Sequence, residues 1–467
     1  MTKKDLSGIK YYPLNFSQIT IRMQLFFSRH KQVLQLPVTL IADHVFDFDI
    51  LKKAVALEIE RNDCMRMQFT KKKGKLVQYF LPEREMPDIK IYDFTGKTKE
   101  EQDAVILADA RKMVRFTKNE LYRIFFFKTY NGGSGIYINV THMCMDATAV
   151  FLFYKDLLDI YFALVNGTEL PKPPDKFEDC LPMEIKKLQD KEHQAKNREF
   201  FKQQYTKDGE PFYAAPFGMS LLNEQRRKKK NPNLRACRTM DIFHDKSKKI
   251  IYHEGPEFVS RVKEFCRRER IPEQALFQFA IRTYLSAMNE FNPDISVFIY
   301  VNMRFTLADK NSGGTRASCI PMRSIIPEDI TVKEAMNNVL EEMFKVFRHC
   351  DYSLLDMSKL LGECYGTKLG TGYTSMMANY VPLEFTQPEN GWKFEAKWEQ
   401  IGWFPFPLYM LMIPSLRDNG MDFYYDYQVH RMDEAMIENM HKMILKIIDA
   451  CIEDPDMTVG HLLHEVI

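Results

Sequence analysis

The chain lacks most of the features that would assign it to a special class. No run of roughly 18 or more apolar residues occurs in its 467 positions, so no membrane-spanning helix is expected. The first residues carry charge without an apolar core segment, so no signal peptide is expected. Nine cysteines are scattered in odd number, and none forms a C-x-x-C pair; neither a disulfide framework nor a cysteine-held zinc is indicated. A reducing cytoplasm is the simplest home. Charge of one sign is also missing: Lys and Arg exceed Asp and Glu by only +2, which gives no overall reason for binding nucleic acid.

What is abundant is soft apolar material, with Phe 35, Tyr 22 and Met 27. Such residues fill a large core, and they also line adaptable lipophilic sites. The length calls for more than one core. Asn166 to Pro174 ends in two consecutive prolines, which stop helix and strand alike. The main boundary is expected there, giving an N-terminal lobe over 1–175 and a C-terminal lobe over 176–467. Helix and strand patterns mix in both halves, which favours α+β lobes over one doubly wound sheet. In the first half, residues 20–46 alternate moderately and end in a strand, Pro37 to Ala42. Asp47 caps a helix, and two hairpins follow, one around Lys71–Lys75 and one around Asn131–Gly135. In the second half, 181–205 reads as one polar connecting helix. Arg226–Lys230 reads as an exposed loop, either simply solvated or a patch for phosphate or an acidic partner. Further helices are expected at Ala275–Met288, Val332–Arg348 and after Asp433, with strands within Asp294–Phe305 and Met421–Val429.

Gly135 to His142 is an apolar strand that ends in a histidine. Four residues later Asp146 opens an apolar helix from Ala147 to Tyr161. A histidine beyond the last rung of a strand is suited to general-base work, and an acid at the helix start can fix the turn that aims it. The same pattern also fits a buried strand-end histidine and an ordinary N-cap. His142 is the only histidine here with Asp four residues on.

Several short motifs then follow in a familiar order. Tyr12 to Leu14 with Ser17 and Gln18, Phe48 to Leu51, Glu60 to Arg66, and Thr141 to Ala147 resemble the N-terminal lobe of the condensation-domain and chloramphenicol-acetyltransferase-like acyltransferases. Val301 to Arg304, Gly314 to Arg323, Asp422 to Gln428, Asp454 with Pro455, and Val459 to Leu463 resemble its second half. The resemblance covers nearly the whole chain. Two positions depart from the family's H-H-x-x-x-D-G: Thr141 replaces the first histidine, and Ala147 replaces a glycine whose freedom at positive φ alanine lacks. No Asp-Phe-Gly-Trp-Gly segment occurs, which sets aside the plant-type branch. The nearest likeness is a stand-alone condensation-like protein.

The resemblance implies two chloramphenicol-acetyltransferase-like lobes in a V-shaped pseudo-dimer, with a tunnel between them. It implies an acyltransferase moving an acyl group from a pantetheine thioester, acyl-CoA or acyl-carrier protein, to an alcohol or amine, without a bound cofactor or metal. His142 is then the base, the Ala147 N–H an oxyanion donor, and Asp146 with Arg304 a structural clamp. Thr141, Ser375 and Asn379 are candidate substrate contacts. Trp403 to Tyr409 is expected in a segment crossing between lobes. Cys144 is a thiol that direct transfer does not need. Partners implied are a carrier protein and a small lipophilic or amine acceptor. Two other readings stand beside this one: a non-catalytic domain kept to bind a partner, and a nonribosomal-peptide condensation enzyme joining carrier-bound units.

Overall fold

Every residue of the strand Ser134–Thr141 is buried, so its apolar residues need not alternate with polar ones. In the computed structural model, which describes residues 8–118, 120–382 and 391–467, this strand is the centre of a five-stranded sheet. The order is Phe394–Trp398, Gln35–Ala42, Ser134–Thr141, Tyr122–Lys128, Lys90–Asp93. Neighbours run antiparallel except for the last pair, and Thr141 stands opposite Gln35 at the end of its ladder. The helix Ala147–Asn166 packs against this sheet: Tyr154 donates from its hydroxyl to Val38 O (2.8 Å) and Ile136 O (3.2 Å). The helix Phe48–Arg61 lies against Ala147–Asn166. Phe94, Ile106, Phe125, Phe127 and Tyr137 form a separate buried cluster.

The chain divides into two units. The first comprises Met1–Asp190, Asn302–Ala317 and Leu383–Ile401; the second comprises Lys191–Val301, Ser318–Pro382 and Gly402–Ile467. This division differs from a single cut at 175. The reason lies in Asp63, whose carboxylate accepts from the backbone N–H groups of Phe177 (3.1 Å) and Glu178 (2.8 Å). It thereby caps the helix Phe177–Gln189 and ties it to the first unit. The strand Phe394–Trp398 likewise completes the first sheet, so Leu383–Ile401, and not Trp403–Tyr409, is the later stretch that belongs to the first unit.

The second unit is built on a six-stranded sheet: Ala317–Ile325, Asp294–Asn302, Met376–Tyr380, Leu408–Pro414, Met421–Gln428, Ser247–Glu254. Parallel pairing at Met376–Tyr380 gives way to antiparallel pairing from Leu408–Pro414 onward. The helix Glu273–Met288 is buried along most of its length, and Pro256–Glu269, Val332–Arg348 and Glu434–Glu453 pack against it. Both units mix helix and strand, an α+β fold.

Two local expectations are corrected. Arg226–Lys229 lie in a helix, Ser220–Lys229, with Lys230 as its left-handed cap; buried Leu221 and Leu222 anchor its first turn. The 181–205 region is two helices, Phe177–Gln189 and Lys191–Thr206, separated at Asp190. Among the described residues no helix is long and apolar enough to cross a membrane.

Candidate active site

The ladder that carries Ser134–Thr141 stops at Thr141, and His142 keeps one tie, its N–H donating to Leu34 O (3.0 Å). The backbone then folds into a turn: Cys144 N–H donates to Thr141 O (2.9 Å) and Met145 N–H to the same oxygen (3.4 Å). The buried Gln18 holds the outside of this turn, its amide nitrogen donating to Met143 O (3.1 Å) and Gln78 Oε1 (2.7 Å). Asp146 ends the turn as N-cap of Ala147–Asn166, with Oδ1 accepting from Ala149 N (2.9 Å).

Asp146 accepts three further hydrogen bonds. Arg304 grips it with both terminal nitrogens, Nη1 to Oδ2 at 2.7 Å and Nη2 to Oδ1 at 2.9 Å, and Arg316 N–H donates to Oδ2 at 2.7 Å. The two side chains are only 2% and 4% exposed, so this is a buried bidentate pair. Burial alone would raise the Asp146 pKa; the Arg304 charge and the donated hydrogen bonds more than offset it and hold the carboxyl below its usual range.

Arg304 also donates to Gly314 O (2.9 Å) and Asn302 Oδ1 (3.1 Å). That reaches the segment Gly313–Arg316, which no local sequence pattern had marked as part of the site. Gly314 has φ +84°, and a Cβ there would stand 2.3 Å from the Phe177 ring, so glycine is required twice over. The buried Arg316 lies over that ring (4.5 Å to its centroid) and donates to Glu184 Oε1 (2.6 Å). Asn15 closes the network, donating to Glu184 Oε2 (2.9 Å) and Thr315 O (3.0 Å). Thr315 then sets its hydroxyl 3.4 Å from His142 Nδ1.

The half-buried His142 has a pKa lowered from the ordinary 6.5. Loss of water is the main cause; the Asp146 charge and backbone groups at His142 and Met145 pull weakly the other way. The imidazole is therefore neutral at neutral pH and able to take a proton.

Ala147 is the first residue of its helix and is not among the residues with positive φ, so alanine fits the turn without strain. Its N–H has no acceptor among the described residues, as expected of a free N-terminal donor. Thr141 is buried, its Oγ1 accepting from Met143 N (3.4 Å). Cys144 is buried, and burial pushes its thiol pKa up, which disfavours the thiolate that a nucleophile needs. Ser375 and Asn379 belong to the second unit: Ser375 is fully buried, and Asn379 Nδ2 donates to Tyr409 OH (3.1 Å).

This sheet, turn and clamp belong to a known lineage. The profile of the family described as Condensation domain matches residues 9–464, and the chain belongs to that family, one of acyl and peptidyl transferases. Surfactin synthase subunit 1 of Bacillus subtilis (strain 168) is 21% identical over 473 residues, covering 97% of this chain but 12% of that subunit. Bacitracin synthase 3 of Bacillus licheniformis is 28% identical over 127 residues, 27% of this chain and 2% of that protein. The chain thus spans a small fraction of these curated relatives. Among solved structures, the first condensation domain of the CDA synthetase superposes with a TM-score of 0.76 at 14% identity, covering 98% of this chain and 99% of that one. The starter condensation domain of rhizomide synthetase, solved in complex with C8-CoA and Leu-SNAC, gives 0.77 at 14% identity, with 96% of both chains covered.

Proposed function

We propose that this chain transfers an acyl group from a pantetheine thioester to an amine or alcohol, with His142 as general base. One observation carries the reading. Asp146 commits its carboxylate to four donors, from Arg304, Arg316 and Ala149, so it holds the turn and leaves proton acceptance to the His142 imidazole. In the proposed step the acceptor N–H or O–H gives its proton to the neutral imidazole as the heteroatom attacks the thioester carbonyl carbon. The tetrahedral oxyanion is met by the Ala147 N–H, where the helix end adds favourable partial charge. Collapse expels the pantetheine sulfur, which leaves as a thiol with the proton returned from His142. Thr315, at Nδ1, orients the ring.

The C8-CoA and Leu-SNAC in the rhizomide synthetase complex support a CoA-linked donor and an amine acceptor, and the synthase relatives support a carrier-linked donor. Thiol release measured with acyl-CoAs and acyl-carrier proteins against mixed amines and alcohols tests this. His142→Ala is expected to lose about 10²- to 10⁴-fold in rate with an unchanged melting temperature. Wild-type rate should rise with pH and level off below the ordinary histidine value, since the base works only when neutral. Equal thiol release by wild type and His142→Ala would refute the reading.

A further inference from the structure

A second cluster of chemistry-bearing side chains lies far along the chain from His142, within the second unit. Asp241 and His244 come from the loop before the strand Ser247–Glu254, and His430 from the turn after Met421–Gln428. One ligand atom from each lies within 4.8 Å of the others. We infer that Asp241, His244 and His430 form a binding site for a divalent transition metal of the zinc, nickel and copper group.

The side chains stand at metal-bridging distances. His244 Nδ1 stands 3.2 Å from Asp241 Oδ2, and His430 Nε2 stands 3.5 Å from the same oxygen. Charge-assisted N–H···O bonds close to about 2.7–2.9 Å, so neither contact is a tight ion pair. Metal bonds of about 2.0–2.2 Å, by contrast, hold tetrahedral ligand atoms about 3.4 Å apart, close to both histidine distances from Asp241 Oδ2, and all three ligand atoms lie within 4.8 Å of one another.

The backbone around the cluster is held in place before any ligand arrives. Gln428 is fully buried, and its amide nitrogen donates to Asp241 O (3.1 Å) and Phe404 O (2.9 Å). Asp241 N–H donates to Pro405 O (2.7 Å), and Phe404 N–H to Asp245 O (2.7 Å). The loop bearing Asp241 and His244 is thus fastened to the end of the strand from which His430 projects. Asp241 is itself buried; its Oδ1 accepts from the N–H groups of Phe243 and His244, each at 3.2 Å, and His244 Nδ1 faces both oxygens, Oδ1 at 3.3 Å and Oδ2 at 3.2 Å.

The ligand set narrows the ion to the first-row transition metals. Two imidazoles and one carboxylate with open positions favour zinc, nickel or copper over magnesium and calcium, which take oxygen. The opposing feature is cationic. Arg238 and Arg431 approach Asp241 Oδ2 to 3.7 and 3.9 Å, and metal entry must displace their charge. Both are long side chains with partial exposure, so they can swing away at a cost in affinity.

The test is calorimetric titration of the full chain, stripped with chelator, with Zn²⁺ and separately with Mg²⁺. Wild type is expected to bind one Zn²⁺ at this site and no Mg²⁺. His244→Ala with His430→Ala should lose that binding event, at least about ten-fold in affinity, while circular dichroism stays native. Arg431→Ala should bind Zn²⁺ more tightly than wild type, a gain that misfolding cannot mimic. Zn²⁺ binding unchanged in the double variant, or Mg²⁺ binding as well as Zn²⁺, would overturn the site.

Discussion

The pairing of Asp146 with Arg304 sets the character of the site at the scale of single residues. Removing one partner from a buried pair strands the other charge, at a cost of about 3–5 kcal/mol. Arg304→Leu should therefore lower stability by about that much in urea unfolding, while Arg304→Leu with Asp146→Asn should recover part of the loss. Linkage adds a signature. The Asp146 pKa is depressed in the folded protein, so its contribution is complete above the ordinary value of 3.8 and disappears as pH falls through the folded value. The His142 pKa is also depressed, so the unfolded chain protonates first, and stability is lost as pH falls below 6.5. His142 and Asp146 were readable because four residues separate them on a strand-to-helix turn. Arg304 was reached only through resemblance. Thr315 and Arg316 fall within Gly314–Arg323, a stretch the resemblance covers, but their contacts with the turn span about 170 positions and no local spacing points to them.

At the scale of elements, polarity in the wrong place is the informative feature. Glu58, on the helix Phe48–Arg61, is fully buried beside Asp156 of the helix Ala147–Asn166. Glu58 Oε2 and Asp156 Oδ2 have no hydrogen-bond partner among the described residues. Burial first, and Asp156 second, push the Glu58 pKa well above 4.5. The folded state therefore holds this proton more tightly than the unfolded chain. Stability is complete below 4.5 and declines as pH rises toward the folded value. Glu58→Gln keeps an acceptor for Asn62 (3.0 Å) and supplies a donor for Asp156. It should raise the melting temperature, with a gain of about 1–3 kcal/mol at pH 8 and little at pH 5. Elements with clear caps were legible from sequence: Asp47 and Asp433 cap their helices, and Val332–Arg348 forms over the expected span. Phe16–Phe27 was missed because its apolar residues resemble alternation, although Asn15 and Gln18 form a reciprocal capping box. The Ser220–Lys229 helix was missed because its charges outweigh two buried leucines.

For the whole molecule, the first unit is discontinuous in sequence. A cut at 175 or 190 would remove Arg304, Gly314 and Arg316 from Asp146, and strand Phe394–Trp398 from Gln35–Ala42. Residues 1–190 expressed alone should show no cooperative thermal transition by circular dichroism and no dispersed amide spectrum. A sharp transition in that fragment would mean that the later segments are dispensable. Pro173 and Pro174 break the local chain direction, whereas the first unit runs on to Asp190. The cap that Asp63 provides for Phe177 and Glu178 is a contact across more than a hundred positions.

The same edge strand sets a clock on synthesis. Phe394 pairs with Ala42, 352 positions earlier (394 − 42). At about 5–20 residues per second, the ribosome delivers it roughly 20–70 s after its partner. Through that interval the edge at Gln35–Ala42 stays open to other chains, and for 158 positions of it Asp146 waits without Arg304. Slowing translation is therefore expected to raise the insoluble fraction of newly made chain, measured by sedimentation at reduced elongation rate.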